Sequence, residues 1–324
     1  HPSPKAWSSH QRDTILLSEQ RFPMKYLCRL AIAYATVCWT LVSVSAFVRQ
    51  IPFQKSTTFQ SRHYLAPASD VWILPTEEDV TKAVHKIVED AAIKAIEEKG
   101  SFALAIPGGS VLKVLSTLEP SGDWVSKTVL AYVNHKCVPN DDIKNAIHAK
   151  ARSMFLDRWG LTNVITLGGS DDASEEASSY EKKLRAIPAD VLPRDADSFP
   201  IFDLCLIGVG DDGHIGSLYP NRDEINESKQ WTIGVEMKNP PSISLTLPVM
   251  QRAKQSVVSA AGKSEKYPKG KAAAMRLAIE DSEITPNEFP ACALRSTARW
   301  ILDEPNGSEM PSLKRASKED LLLS

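Results

Sequence analysis

The stretch that decides the fold reads FDLCLIGVGDDGHIGSLYP and spans residues 202–220. It opens with an apolar run, Phe202 to Ile207, which has the length and composition of a strand buried on both faces. The run passes directly into Gly208-Val209-Gly210-Asp211-Asp212-Gly213-His214-Ile215-Gly216-Ser217, a loop rich in glycine and carboxylate with a single imidazole. The pattern predicts a buried strand that ends in a polar loop with carboxylate and imidazole side chains.

Short apolar runs alternate with helical segments on both sides of this stretch. Thr76 and Asp79 resemble a capping box that starts a helix, and Gly100 stops that helix. Further strands are predicted at 102–106, 128–133, 164–167, 202–207, 243–247 and 256–261, and further helices at 111–118, 142–159, 174–187 and 269–280. This alternation predicts an α/β fold with a mostly parallel sheet flanked by helices, in which ligands bind at the carboxyl ends of the strands.

The composition is that of a soluble globular protein with a sizeable core. The chain has 324 residues, of which 43% are hydrophobic and 24% charged, and its formal net charge is −2. A near-neutral balance gives no reason to expect a nucleic acid as partner, because a nucleic acid requires a basic face. The five cysteines include no CxxC pair, and Cys137, Cys205 and Cys292 are interpreted as reduced core residues, with no metal site.

The first seventy residues have the composition of a targeting sequence. After Met24, basic residues, the apolar run 30–42 and Val44-Ser45-Ala46 predict a signal peptide over 24–46, with 1–23 lying upstream. Residues 47–69 are basic, rich in hydroxyl groups and free of acidic residues, which is typical of a transit peptide. The junction resembles the bipartite presequence of algae with secondary plastids, such as diatoms, and predicts a plastid destination. The alternatives are a secreted protein with a polar linker, or a cytoplasmic one.

The remaining boundaries follow from composition. The folded domain is predicted over 70–305, with its most loop-like interior stretch at 190–200, and a flexible tail is predicted over 306–324.

A second glycine-rich loop, Pro107-Gly108-Gly109-Ser110, leaves a predicted strand and opens a helix. Glycines allow a phosphate to approach the backbone closely, and the amide groups at a helix start favour an anion. On its own this signal is weak, because such turns are common. In the loop at 208–217, by contrast, the imidazole of His214 is a side chain type that can serve as a general base, and the neighbouring carboxylate of Asp212 can orient it.

The segment 202–220 resembles the signature of the 6-phosphogluconolactonases, commonly D-x-x-L-L-G-x-G-x-D-G-H-x-x-S-L-F-P. The similarity extends to the Gly-Gly-Ser loop, to Cys137-Val138-Pro139, to SLTLPV at 244–249, to Gly262 with its following lysines and to WILDEP at 300–305. Glucosamine-6-phosphate deaminases have a related loop that continues towards Asn-Glu-Pro, whereas Ser217-Leu218-Tyr219-Pro220 follows the lactonase form.

The resemblance implies a Rossmann-like α/β fold of the sugar isomerase and CoA-transferase type. It also implies hydrolysis of 6-phospho-D-glucono-1,5-lactone to 6-phospho-D-gluconate in the oxidative pentose phosphate pathway, with no metal or cofactor. By position, His214 is the base for the attacking water and Asp212 places it. The residues implied in phosphate binding are Gly108, Gly109, Ser110, Lys136, Lys263 and Lys266. The expected partner is the small sugar phosphate lactone, with no nucleic acid and no stable membrane association after processing; a monomer is compatible with the sequence.

Two departures from the family pattern fall on the binding half of the site. Many lactonases have Asp-Glu-Arg where this chain has Asn134-His135-Lys136, and many have an Arg after the Pro-Pro that precedes Ser242. Each lost charge-assisted hydrogen bond is worth about 1.5–3 kcal/mol. Lys136 is expected to recover part of this binding. Lys238 and Arg252 are candidates to contact the phosphate from nearby.

Three functions therefore stay open at the level of sequence. The first is an active lactonase with an altered phosphate grip. The second is a catalytically weakened homologue that binds sugar phosphates or regulates a partner, and the third is a hexosamine-6-phosphate deaminase or isomerase.

Overall fold

A six-stranded parallel sheet forms the centre of the domain. In the computed structural model, which describes residues 68, 70–263, 265, 267–316 and 320, its strand order is β1-β9-β8-β5-β2-β3. A second, antiparallel sheet has the order β4-β7-β6. The strands are β1 (Val71–Leu74), β2 (Phe102–Ile106), β3 (Thr128–Tyr132), β4 (Asn134–Lys136), β5 (Leu204–Ile207), β6 (Thr232–Val235), β7 (Ser242–Leu245), β8 (Ser256–Ala260) and β9 (Ala298–Asp303). The predicted fold class is confirmed.

Helices connect the parallel strands. They are α1 (Glu77–Lys99), α2 (Ser110–Ser116), α3 (Ile147–Ala151, continued by a π-helical turn at Arg152–Leu156 and by Asp157–Trp159), α4 (Ala173–Ala186), α5 (Leu247–Arg252), α6 (Ala272–Ile279) and α7 (Glu304–Gly307). Short 3₁₀ turns lie at Trp124–Lys127, Asp223–Asn226 and Pro290–Leu294. Within the described residues no helix is both long and apolar enough to cross a membrane.

The predicted caps of α1 are confirmed. The Thr76 hydroxyl accepts the backbone N–H of Asp79 at 3.1 Å and donates to the Asp79 carboxylate at 2.7 Å. At the other end Gly100 has φ 78°, and its N–H bonds to the carbonyl of Ile96. The left-handed backbone at this position explains why a glycine ends the helix.

The sheet is buried on both faces, as the apolar strands predict. In β2, Phe102, Leu104 and Ile106 face a core built with α1, α2 and α3, whereas Ala103 and Ala105 face the core on the side of α4 and α6. Alternate side chains of a strand point to opposite faces, so one continuous apolar run supplies both cores. Cys137, Cys205 and Cys292 are free and buried, as predicted, and burial raises the pKa of the Cys205 thiol to about 12.

Two predicted strands differ from the structure. The run at 243–247 lies in the antiparallel sheet as β7 rather than in the parallel one, because apolar composition does not specify the pairing partner. The segment 164–167 makes only an isolated parallel bridge, Leu130 with Val164, at the edge beyond β3. It pairs with the sheet through hydrogen bonds on either side of Leu130, at 3.0 and 2.8 Å, and is too short to count as a strand.

The predicted flexible tail also differs from the structure over 306–316. Met310 is fully buried in the core. Arg315 bridges to Ile73, and the N–H of Ala316 bonds to the carbonyl of Ile73 at 3.0 Å. The polar composition of the tail gave no sign of burial, yet Met310 buries its apolar side chain in the core. The predicted segments 1–23, 24–46 and 47–69 lie outside the described residues, apart from Ala68.

At the amino ends of the strands, a buried carboxylate links three of them. Asp203, which precedes β5 and is 4% exposed, accepts the N–H of Ala103 at the start of β2 at 2.8 Å. Lys99 lies 2.9 Å from it, and Lys254, just before β8, lies 3.1 Å from it. Two cations thus compensate this one buried charge, and a backbone N–H donates to one of its oxygens.

Candidate active site

Three loops meet at the opposite, carboxyl ends of the same three strands. The sheet places β5 between β2 and β8, so that the loops after Ile106, Ile207 and Ala260 are neighbours in space. These are the Pro107–Ser110 loop, the loop 208–217 (called here the base loop) and the segment 262–271 (called here the bridging segment). The carboxyl ends of neighbouring parallel strands are where α/β folds bind their ligands.

The base loop is a tight, internally bonded turn. Val209 and Ile215 form an antiparallel bridge, and the N–H of Gly210 bonds to the carbonyl of His214 at 2.9 Å. Gly213 has φ 85°, and a Cβ there would lie 2.5 Å from the ring of Phe289. Only glycine fits this position, both in conformation and in space.

His214 and Asp212 form the predicted pair. The ring Nδ1 lies 2.5 Å from Asp212 Oδ1, and the backbone N–H of His214 also donates to that oxygen at 3.2 Å. Because a carboxylate only accepts, Nδ1 carries the proton and Nε2 is left as the basic atom. The His214 side chain is 28% exposed, so water can reach it, and its ring packs on that of Tyr219 with the centroids 4.8 Å apart.

The electrostatics of the pair follow from this contact. Partial burial raises the pKa of the Asp212 carboxyl, but the hydrogen bonds from the His214 ring and backbone lower it by more, and the net pKa lies below its usual value. Asp212 is therefore ionised at neutral pH. A fixed carboxylate at Nδ1 stabilises the imidazolium that forms when Nε2 takes a proton.

Lys271 is a site residue that sequence reasoning missed. It immediately precedes α6, and its Nζ donates to the carbonyl of Val209 in the base loop. Burial lowers the pKa of its amine, against the opposing effect of the Asp211 and Asp212 charges. A half-buried cation at the start of a helix interacts unfavourably with the helix dipole. This unusual placement, the pair Gly270-Lys271 just before α6, was the sequence signal that could have identified Lys271 as a site residue.

The Pro107–Ser110 loop has the open backbone predicted for it. Gly109 has φ 74°, and a Cβ built there would meet nothing within 4 Å. Gly108 lies against α3, where an added Cβ would be 2.8 Å from Ile147. The loop is therefore fixed by packing on one side and open on the other, and Ser110 begins α2 at its end.

A cleft of about 940 Å³ lies between the start of α2 and the bridging segment, and no residue of the base loop is among the described residues that line it. Its wall includes Ser110 of the glycine loop, Lys263 and Tyr267 of the bridging segment, and Lys271. Two predicted phosphate-binding residues, Ser110 and Lys263, thus share one cleft with the unpredicted Lys271. Lys266 lies outside the described residues.

Asn134, His135 and Lys136 form β4, and only the first contacts the base loop. The Asn134 amide donates to Ser217 Oγ at 3.2 Å. Lys136 Nζ donates instead to Asn145 Oδ1 at 3.1 Å, and Lys136 is not among the described residues that line the cleft.

His135 is a structural residue within β4. It is fully buried; Nδ1 bonds to the carbonyl of Lys136 at 2.7 Å, and Nε2 accepts the backbone N–H of His148 at 3.0 Å. Burial lowers its pKa to about 4, so the ring is neutral at physiological pH.

The structure places Lys238 and Arg252, the two further cations considered from sequence, in different surroundings. Lys238 Nζ lies 4.5 Å from the ring centre of Tyr219, the ring that packs on His214. Arg252 is instead paired with Asp195 at 2.6 Å and Asp197 at 3.1 Å. Its guanidinium is committed to that cluster, so Arg252 is not a site residue. Among the described residues no group of three or more His, Cys, Asp or Glu side chains is arranged to hold a metal ion.

Comparison with known proteins gives a consistent result. Residues 75–302 match the family described as glucosamine-6-phosphate isomerases/6-phosphogluconolactonase. The chain is 31% identical over 255 residues to "6-phosphogluconolactonase 3, chloroplastic" of Arabidopsis thaliana, covering 74% of this chain and 75% of that one. It is 30% identical to a human 6-phosphogluconolactonase, covering 74% and 93% respectively.

Solved structures share the fold. The 6-phosphogluconolactonase of Trypanosoma cruzi aligns with a TM-score of 0.63 and 19% identity over 77% of this chain and 99% of that one. The Leishmania guyanensis enzyme of the same name aligns with a TM-score of 0.61 and 22% identity, covering 75% and 99%.

Proposed function

The chain belongs to the glucosamine-6-phosphate isomerase/6-phosphogluconolactonase family, and from this premise we propose that it hydrolyses 6-phospho-D-glucono-1,5-lactone to 6-phospho-D-gluconate. It is an enzyme, a carboxylic ester hydrolase of carbohydrate metabolism that acts in the oxidative pentose phosphate pathway. The relatives at about 30% identity that bear the lactonase name support this assignment. The single observation that carries it in the structure is the 2.5 Å contact between His214 Nδ1 and Asp212 Oδ1 in the base loop, which Tyr267 and Lys271 of the cleft wall contact.

In the proposed mechanism, His214 Nε2 takes a proton from a water molecule, which attacks the lactone carbonyl carbon. The tetrahedral intermediate collapses with cleavage of the bond between that carbon and the ring oxygen, and the imidazolium returns its proton to the leaving oxygen. Asp212 holds the proton of Nδ1 throughout and stabilises the charged ring. A lactone is an activated ester, so one placed base beside a fixed substrate suffices.

The cleft wall supplies the proposed grip on the phosphate. Ser110 offers a hydroxyl, and Lys263 and Lys271 offer positive charge. Next to Ser110 in the chain, Gly109 offers an open backbone, and Gly108 fixes the loop by packing against Ile147. Lys136 would have to leave Asn145 to take part. Lys266 stays a sequence-based proposal.

The test is the rate of lactone loss above the uncatalysed background, measured for the wild type and for His214→Ala. We expect a clear excess rate for the wild type and none for the variant, because a positioned general base contributes about 10²- to 10⁴-fold. Asp123→Ala is the control, since the Asp123 side chain pairs with Lys127 at an exposed position and does not line the cleft. An unchanged rate in His214→Ala would remove His214 as the base.

A sugar-phosphate binder without turnover is the second candidate, and one observation favours it. In β4, Lys136 is already bonded to Asn145, and Asn134 is uncharged. Calorimetric binding of 6-phosphogluconate together with the absence of any excess wild-type rate would select this function and reject hydrolysis.

We also propose that the protein acts in a plastid. The curated relatives named chloroplastic support a plastid location. The composition of 24–46 and 47–69 supports delivery by a signal peptide followed by a transit peptide, as in diatom-like algae, ahead of a domain over 70–305. A fluorescent fusion of residues 24–70 expressed in a diatom should enter the plastid; its secretion would reject the proposal.

A further inference from the structure

The bridging segment joins the strand β8 to the helix α6, and five of its described residues line the cleft: Gly262, Lys263, Tyr267, Gly270 and Lys271. Its described residues are 262–263, 265 and 267–271. It presents Lys263, Tyr267 and Lys271 to the cleft wall. The two lysines stand near its two ends, with Tyr267 between them.

A buried polar pair holds both ends of this segment. Asp303, which is 2% exposed, accepts the N–H of Gly262 at 2.7 Å. Asn306, which is 1% exposed, donates to the carbonyl of Gly262 at 3.1 Å and accepts the N–H of Lys271 at 2.7 Å. Asn306 and Asp303 are bonded to each other at 2.6 Å, so one rigid unit fixes both ends.

Gly270 shows how closely the segment lies on this pair. It has φ 59°, and a Cβ there would lie 2.6 Å from the Asn306 amide nitrogen. The backbone next to Lys271 therefore rests directly on Asn306.

The middle of the segment reaches the base loop. The Tyr267 hydroxyl donates to Asp211 Oδ2 at 2.6 Å. Asp211 is the neighbour of Asp212, which orients His214. The N–H of Gly270 bonds to the carbonyl of Tyr267 at 2.9 Å, so this tyrosine is tied to the clamped end as well.

We propose that Tyr267 is a positioning residue, whose bond to Asp211 holds the base loop at a fixed distance from the lysines of the cleft wall. The inference rests on the proposed function. The lysines of the wall bind the phosphate, and His214 acts on the lactone carbonyl at the other end of the same substrate. A rigid link between the two sets the distance between anchor and base, on which the rate of an oriented reaction depends.

The test compares kcat and KM for Tyr267→Phe, Asp211→Ala, Asp211→Asn and the Tyr267→Phe/Asp211→Ala double variant, as rates above background. Tyr267→Phe should lower kcat by about 5- to 10-fold, which is below the full value of a charge-assisted hydrogen bond because Asp211 is exposed. KM should stay close to the wild-type value, because the anchoring lysines are untouched.

The other variants check that the hydroxyl–carboxylate bond is responsible. Asp211→Ala should match Tyr267→Phe, the double variant should be no worse than either single one, and Asp211→Asn should retain most of kcat because an amide oxygen still accepts the phenol proton. Tyr180→Phe is the matched control: its hydroxyl is buried against Tyr132, away from the cleft, and its removal should lower thermal stability and leave kcat unchanged.

The outcomes separate the two levels of the proposal. A wild type without excess rate overturns the proposed function and the inference with it. An active wild type with an unchanged kcat in Tyr267→Phe, or with additive effects in the double variant, overturns the role of Tyr267 alone. A fall in kcat that tracks a loss of folded protein in circular dichroism also overturns it.

Discussion

The two ends of β2, β5 and β8 use the same kinds of side chain for opposite purposes. At the amino ends, Asp203 is buried, two lysines compensate its charge, and it accepts one backbone N–H. At the carboxyl ends, the pair of His214 and Asp212 is partly exposed, and Nε2 is left free to act on a ligand. The difference shows what distinguishes charged groups that stabilise the fold from those that act in catalysis. It is the extent to which neighbouring charges and hydrogen bonds compensate the group, more than the residue type.

The largest effect should come from the carboxyl end. His214→Ala should lower kcat/KM by about 10²- to 10⁴-fold because the variant lacks the base. It should change the melting temperature little, because the His214 side chain is partly exposed and its ring packs on Tyr219 alone among the described aromatic contacts. Initial rates above background, together with a thermal melt of the same sample, measure both. A large loss of stability in this variant would contradict the contrast between the two ends.

The amino end should respond in the opposite way. Asp203→Ala should cost about 3–5 kcal/mol in the free energy of unfolding, because it leaves Lys99 without its buried carboxylate. The kcat of the folded fraction should stay near that of the wild type. Urea titration measures the loss, and Asp123→Ala, which breaks an exposed pair with Lys127, should have no measurable effect.

Asp212→Asn should have a smaller effect on activity. The amide oxygen still accepts the Nδ1 proton, but the charge that stabilises the imidazolium is gone. We expect kcat to fall by about 10- to 100-fold, the equivalent of one charge-assisted hydrogen bond. Initial rates above background measure the fall, and an unchanged kcat would count against the pairing.

His135 lies next to the site but resembles Asp203, because it is buried and both of its ring nitrogens are hydrogen-bonded. Its pKa is about 4 when folded and about 6.5 when unfolded, so the unfolded state binds more protons between those values. The free energy of unfolding should therefore fall by up to about 1.4 kcal/mol per pH unit as the pH drops from about 6.5 to 4. The half-buried His148, whose pKa is also lowered, acts in the same direction.

Urea titrations at several pH values measure this slope. His135→Gln should remove most of it without moving the pH profile of kcat/KM. A profile that shifts in this variant would place His135 in the chemistry after all.

The sequence predicts those parts of the fold and site that are local in the chain. Phe102–Ile106 and Leu204–Ile207 are apolar enough to be identified as buried strands, and Asp212 and His214 lie close together because one short turn contains both. β4 escaped prediction since its three residues, Asn134–Lys136, are polar and gain their pairing only from β7.

Contacts between distant segments were beyond prediction for a related reason. Lys271 and Tyr267 reach the base loop from another strand end, and only the order of strands in the sheet brings them there. Arg252 shows the converse: its charge suggested the site, but Asp195 and Asp197 hold it elsewhere.

The crowding of the base loop sets a limit on how this protein can be redesigned. A single methyl group at position 210 would come within 2.1 Å of His214 Nδ1, and one at position 213 would collide with the ring of Phe289. A library that randomises these positions should return mostly inactive clones. Directed evolution towards other lactones will find its freedom in the walls of the cleft, around Ser110 and Lys263, while the turn that carries the imidazole stays invariant.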